Sequence, residues 1–407
     1  LNQPINLDSI MREGYGKWLA LLIHGGLDVT SAEDALSISL GRAATIWPES
    51  GVPDNPGAWI IVVARRAAID MIRRTSRESP LTDAPDLISA EPMTMNAESF
   101  PIPDERIRLF YLCTHPAIDQ SIQTPLMLQL ILGFSAEAIA EFYCVSATQI
   151  SQRLVRAKRK LRDAGIRPTI PSAESIPERS GAVLDALYAL YGRGWERPTQ
   201  SDRLSLSEEA IRLTTWVEQL TSLPEAKGLL AFMLFNEARR NSRRGSGGEF
   251  IPLEDQDITA WDRERIAQAE RLLHESSQLR ILGRYQLEAA IQSAHVSRRL
   301  SGNPSWRELC KLYDALVSNA PSRALALGRI AALAKAYGPE RAWNELLDYG
   351  DMQYQPYWAL RAHLAVEKGD LDEAQRSAER AQALSTEPAI VDYLTERFGA
   401  RYNARSE

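Results

Sequence analysis

Residues 146–162 hold the densest run of side chains suited to nucleic-acid chemistry. Gln149, Arg153, Arg156 and Lys160 recur at i, i+4, i+7 and i+11, with Thr148, Gln152, Lys158 and Arg159 beside them. Amide side chains read adenine edges, and guanidinium groups read guanine or neutralise phosphate. One position further on, Ile150, Leu154, Ala157 and Leu161 repeat the spacing as the apolar stripe of a helix packed on one side. Ser146 is placed to cap that helix, whose first N–H groups then suit a phosphate. Ahead of it, residues 135–143 read as a shorter helix and Cys144, Val145 and Ser146 as a tight turn. Two helices joined by a short turn, the second basic, predict a helix-turn-helix with its second helix in the major groove. Between residues 147 and 168, Arg153, Arg156, Lys158, Arg159, Lys160, Arg162 and Arg167 stand against the single anion Asp163, in a chain of net charge −6. The competing reading is a solvated basic face, but a local excess that opposes the global balance favours DNA.

Such a helix needs a scaffold, and the chain is long enough for one. At 407 residues, 44% hydrophobic and 25% charged, it predicts two to four ordinary globular domains. No segment approaches eighteen uninterrupted apolar residues, and no cationic start precedes an apolar run. Neither a membrane span nor a secretion signal is expected. The chain starts with Leu rather than Met, which predicts that its native start is missing. Cys113, Cys144 and Cys310 are odd in number and scattered, which predicts a reducing cytoplasm without disulfides.

The pattern along the chain is helical throughout, so an all-α fold is expected. Residues 7–46 read as helices broken near Gly25 and Gly26, with Ser31 as a cap before Glu33 and Asp34. Residues 47–56, with Pro48, Gly51, Pro53, Asn55 and Pro56, read as a loop. A helix over 57–74 carries Trp59, Ile60, Val63, Ala67 and Met71 around most of its circumference, which predicts a place in the middle of a bundle. Its later half holds Arg65, Arg66, Arg73 and Arg74, followed by Arg77. The expected organisation is a bundle over 1–78, a linker over 79–100, a helix-turn-helix domain over 101–168, a linker over 169–180 and a helical domain over 181–407. In the last hundred residues Trp358, Ala362, Gly369, Ala374 and Ala381 fall at spacings that suit closely packed, tetratricopeptide-like hairpins.

One other cluster invites a chemical reading. Glu254, Asp255, Asp257, Asp262 and Glu264 surround Trp261, and paired carboxylates can bind a metal or act as acid and base. No histidine lies nearby and no glycine-centred calcium loop is present. Helix capping or an interdomain contact is the expected role, with no metal, no cofactor and no catalysis.

Taken together, the modules resemble the extracytoplasmic-function sigma factors of bacterial RNA polymerase. Four stretches carry the resemblance: Ala32-Glu-Asp-Ala-Leu, residues 47–59 from Trp-Pro to Gly-Ala-Trp, Ala64-Arg-Arg-Ala-Ala-Ile-Asp-Met-Ile-Arg-Arg, and residues 150–161. Further matches around Asp104, Cys113, Gly228, Glu237, Leu253 and Tyr285 are similar to the subgroup with a long tetratricopeptide-like C-terminal extension. The resemblance implies that the helix bearing Glu33, Asp34, Ser37 and Ile38 binds core polymerase. It implies that Asp54, Asn55, Arg65, Arg66, Arg73, Arg74 and Arg77 hold melted −10 DNA. It also implies that the basic helix reads the −35 element and that the extension docks on the sigma modules or binds a protein or peptide. Two departures stand out. Ser37 and Ile38 replace the usual Gln-Glu, which raises the alternative of a sigma-like DNA regulator or scaffold that no longer binds polymerase. Tyr191-Gly-Arg-Gly-Trp195 replaces the usual Phe-Asn-Glu-Gly-Tyr, which predicts a changed interdomain contact. A small-molecule sensor or enzyme in the C-terminal domain is a third reading.

Overall fold

A computed structural model describes residues 7–78, 104–143, 145–196, 202–297, 302, 304–350 and 352–403. Among these residues are eighteen α-helices and three short 3-10 turns. No strand forms among them beyond one isolated bridge between Arg244 and Phe250. The all-α expectation therefore holds. Among the described residues no helix is long and apolar enough to cross a membrane. The chain divides into two compact units, Leu1–Ser222 and Leu223–Glu407.

The first unit opens with three helices, α1 (Leu7–His24), α2 (Val29–Ser50) and α3 (Pro56–Glu78). The cap of α2 is Asp28, three residues before the expected Ser31; its carboxylate accepts from the N–H groups of Thr30 and Ser31 at 2.9 and 3.1 Å. The helix also runs through Pro48 to Ser50, so the predicted loop shrinks to residues 51–55. Gly51, at φ 83°, ends it in a conformation that favours glycine. Against expectation, α3 is not central. Ile60, Ala64, Ala67 and Ala68 are buried, whereas Val62 and Ile72 stay exposed. Packed on α1 and α2, α3 buries one face, and Ser39 Oγ pins it by donating to the Ile60 carbonyl at 2.8 Å.

Four helices follow in the same unit: α4 (Arg106–Cys113), α5 (Gln120–Leu130), α6 (Ala136–Tyr143) and α7 (Ala147–Asp163). The hairpin of α8 (Ile176–Glu196) and α9 (Asp202–Thr221) packs on them, and the boundary between units falls only after it. Tyr111 and Ser180 share a hydroxyl hydrogen bond of 2.9 Å. Arg179 donates to the carbonyls of Tyr111 and Thr114. The departure at residues 191–195 falls inside α8, where the Arg193 guanidinium sits 4.5 Å from the ring centre of Phe134.

The second unit comprises α10 (Pro224–Ala238), α11 (Arg263–Gln278), α12 (Arg284–Val296), α13 (Trp306–Asn319), α14 (Arg323–Tyr337), α15 (Pro339–Leu347), α16 (Gln355–Lys368), α17 (Leu371–Leu384) and α18 (Pro388–Asn403). Gly228 lets α10 approach α12 backbone to backbone; a Cβ there would lie 2.6 Å from the Gln286 nitrogen. The predicted small-residue hairpin forms from α16 and α17, with Ala362, Ala374 and Ala381 buried together. Gly369 closes α16 in the left-handed conformation at φ 83°.

Candidate nucleic-acid interface

The basic helix α7 sorts its faces as the spacing predicts. Ile150, Leu154, Ala157 and Leu161 are buried, and Thr148, Gln149, Gln152, Arg156, Arg159 and Lys160 are exposed. Ser146 caps the helix, its Oγ accepting from the Gln149 N–H at 3.2 Å. In α6, Ile139 and Ala140 pack inward, and the turn closes with the Val145 N–H donating to the Ala140 carbonyl at 3.0 Å. The two helices pack against each other across a short connection, and amide and guanidinium side chains gather at the solvent-facing start of the second.

Two of the cations predicted to face DNA are engaged by protein. Arg153 donates to Ser121 Oγ, and Ser121 in turn donates to Asp119. The Ser121 hydrogen bonds, with Arg153 and Lys160 nearby, hold the Asp119 carboxyl below the usual carboxylate range. Lys158 Nζ lies 2.7 Å from Glu33 Oε1 on α2, with only 14% and 18% of the two side chains exposed. Tyr15 hydrogen-bonds to the same carboxylate, and burial pushes the Glu33 carboxyl up in spite of Lys158.

The residues predicted to hold single-stranded DNA lie mostly on one exposed helix. Arg66, Arg73 and Arg74 are exposed on α3, and Asp54 is exposed just before it. Arg65 is half-buried beside Gly25 at the end of α1. Asn55 caps α3, its Oδ1 accepting from the Ala58 N–H at 3.0 Å. The Arg77 side chain lies outside the described residues. Trp59 packs edge-on against buried Trp47 at 5.3 Å, so it belongs to the core rather than to a base platform. On α2, Asp34, Ser37 and Ile38 face solvent while Glu33 does not.

Sequence reasoning misses two residues that brace this surface. Arg106 is almost fully buried and bridges Asp104 at 2.6 Å and Glu209 of α9 at 2.5 Å. Gly16 brings the backbone of α1 onto the end of α5, where a Cβ would lie 2.0 Å from the Ile131 carbonyl oxygen. The sequence offers no signal for Arg106, because a lone arginine reads as surface. A glycine inside a helical stretch is a weak signal for close approach.

The acidic cluster of the second unit divides into caps and solvent-facing groups. Asp257 accepts from the Thr259 N–H at 2.8 Å, and Asp262 caps α11 with two bonds of 3.0 Å. Trp261 is buried, while Glu254, Asp255 and Glu264 are exposed. Among the described residues no three His, Cys, Asp or Glu side chains converge as a metal site. A cleft of about 930 Å³ in this unit is lined by Glu254, Asp255, Trp306, Lys335, His363 and Tyr393, among others. Burial, with Arg397 and Lys335 nearby, lowers the His363 pKa to about 4. The unfolded chain therefore binds this proton more tightly than the folded one. Stability from His363 is complete above about pH 6.5 and falls as pH drops towards 4, by up to about 3 kcal/mol. Thermal melts across that window are expected to show His363→Gln flattening the acid loss; an unchanged pH slope counts against this assignment.

Residues 179–277, from α8 to α11, match a family of unknown function, DUF6596. An uncharacterized protein of Rhizobium meliloti (strain 1021) is 33% identical over 374 residues, covering 89% of this chain and 88% of that protein. The chain belongs to the same family as that protein. The match reaches into both units. No solved structure matches this member of the family.

Proposed function

We propose that the chain is a non-enzymatic promoter-recognition factor of the sigma type, acting with bacterial core RNA polymerase. The observation that carries the proposal is the exposed start of α7, where Thr148, Gln149, Gln152 and Arg156 stand clear of the protein on a capped, cation-rich helix. The resemblance to extracytoplasmic-function sigma factors supplies the assignment of roles. The α7 start reads the −35 element in the major groove, and exposed Arg66, Arg73 and Arg74 on α3 contact melted −10 DNA. Exposed Asp34, Ser37 and Ile38 on α2 meet the polymerase, and the second unit modulates activity by binding a protein or peptide. The proposed setting is the bacterial cytoplasm.

Two classes of substitution separate reading from anchoring. Gln152→Ala is expected to cost about 1–3 kcal/mol of binding on the preferred duplex and little on a scrambled one, the signature of a base contact. Arg159→Ala is expected to weaken both duplexes alike and lower the salt slope by about one counterion. Equal losses on both duplexes for Gln152→Ala would remove it as a reading residue. The second reading, a DNA regulator without polymerase, is favoured by one observation. Ser37 and Ile38 present a hydroxyl and an aliphatic group to solvent where the resembled family presents an amide and a carboxylate.

A further inference from the structure

We infer that the cleft of the second unit binds an amphipathic carboxylate. The anionic head of such an organic acid lies among Lys335, His363 and Arg397, and its apolar body runs along Trp306, Leu360 and Leu364. The inference goes beyond the sigma-type reading and does not depend on it. At about 930 Å³ the cleft has the size of a small-molecule site, commonly ~300–1,000 Å³, and like such sites it sets a few polar groups in an apolar wall. Several helices of one unit share the lining. Trp306 comes from α13, Lys335 from α14, Leu360 and His363 from α16, and Arg397 from α18, while residues 252–258 complete it.

The polar end favours an anion. His363 is held by aromatic rings, with Phe398 edge-on at 5.1 Å and Tyr393 at 6.5 Å, and makes no hydrogen bond among the described residues. Burial keeps this imidazole neutral, and the charges that bear on it are two cations, Arg397 and Lys335. Arg397 forms no ion pair among the described residues; its guanidinium lies 5.9 Å from the ring centre of Tyr393. Acidic groups also border the cleft, but they are engaged elsewhere. Asp257 accepts from Thr259. Glu254 and Asp255 act on Tyr393, and neither weighs on His363. Glu254 and Glu367 each lie 3.5 Å from Lys335, whose side chain is 38% exposed. Pairs as loose and wet as these are worth little, so Lys335 turns to an incoming carboxylate at small cost.

Occupation carries a proton with it. A carboxylate beside Lys335 and Arg397 offsets the two charges that oppose an imidazolium, so the His363 pKa rises from about 4 on binding. A group whose pKa rises takes up a proton, here from the buffer, and binding tightens as pH falls. The other titratable groups facing the site are Glu254, Asp255, Glu367 and Tyr393, and histidine is the side-chain type that answers between about pH 5.5 and 7.5.

The test is calorimetric titration of the full chain with decanoate near neutral and mildly acid pH, in two buffers of different ionisation enthalpy. Decylammonium serves as the oppositely charged control. Expected are one saturable decanoate site with a Kd of about 1 mM or tighter, decylammonium binding at least about tenfold weaker, and net proton uptake at the acid end. Arg397→Gln and Lys335→Gln should each weaken decanoate by about tenfold, as loss of a hydrogen bond to a charged group does. His363→Gln should keep the binding and remove the proton uptake. Ala331→Trp, which fills the cleft from α14 without changing a charge, should abolish binding, with melting curves to verify that it folds. No saturable decanoate site, or decylammonium binding as tightly, overturns the proposal. Decanoate binding that the Arg397, Lys335 and Ala331 variants leave unchanged also overturns it, because the tail then rests on apolar surface elsewhere. Binding without proton uptake, or uptake that survives His363→Gln, overturns the placement of the head. None of these readouts involves polymerase or DNA, so failure of the sigma-type reading leaves them intact.

Discussion

Replacing Arg106 by alanine is expected to destabilise the first unit by about 3–5 kcal/mol, the usual cost of stripping one partner from a buried charge pair. Its guanidinium is almost fully enclosed and serves Asp104 and Glu209 at once, with only 9% and 16% of those side chains exposed. Water does not readily replace it there. Calorimetry on the full chain should show the first unit's transition falling by roughly 10 °C, at about 2–4 °C per kcal/mol for a unit of this size, with the second unit's unmoved. Asp104→Asn added to Arg106→Met should recover part of the loss, since it removes the charge left behind, whereas Glu209 keeps Arg212. A fall below about 1 kcal/mol would mean that the bridge is dispensable.

The second large effect concerns where the chain can be cut. A chain ended after Ser222 is expected to melt cooperatively, whereas one ended after Pro168 is expected to lose the α4–α7 module. Helix α5 is buried nearly all round, including Ile122, Leu126, Met127, Leu128 and Leu130. That burial requires α8 on one side and α4, α6 and α7 on others. Cutting at 168 also strands the Tyr111 hydroxyl and the carbonyls served by Arg179. Exposing a large apolar side chain costs about 1.5–3 kcal/mol, so baring three or four of them exhausts a typical stability of about 5–15 kcal/mol. Circular dichroism melts decide the matter, and a cooperative transition for the shorter chain would contradict the account.

What the sequence shows and hides follows from how far its signals reach. The α7 stripe and its Ser146 cap were legible because a helix writes its buried face at i, i+4 and i+7 within a few turns. Pro48 misled, since a proline reads as a break, yet α2 carries it within its last turn. Composition suggested that α3 is central, but composition around a helix does not say how many neighbours it has. Three prolines between residues 167 and 177 look like a linker, although α8 starts at Ile176 and folds straight back onto α4 and α5. The Glu33–Lys158 pair, 125 residues apart, leaves no local pattern at all.

The central claim is that the exposed face of α7 directs a polymerase to promoters, and run-off transcription with purified bacterial core enzyme tests it most directly. The account predicts promoter-specific transcripts from the full chain, reduced by Gln152→Ala and absent from a template with a scrambled −35 element. No binding to core enzyme and no transcript, from a chain that still binds duplex DNA, would contradict it and favour the DNA regulator.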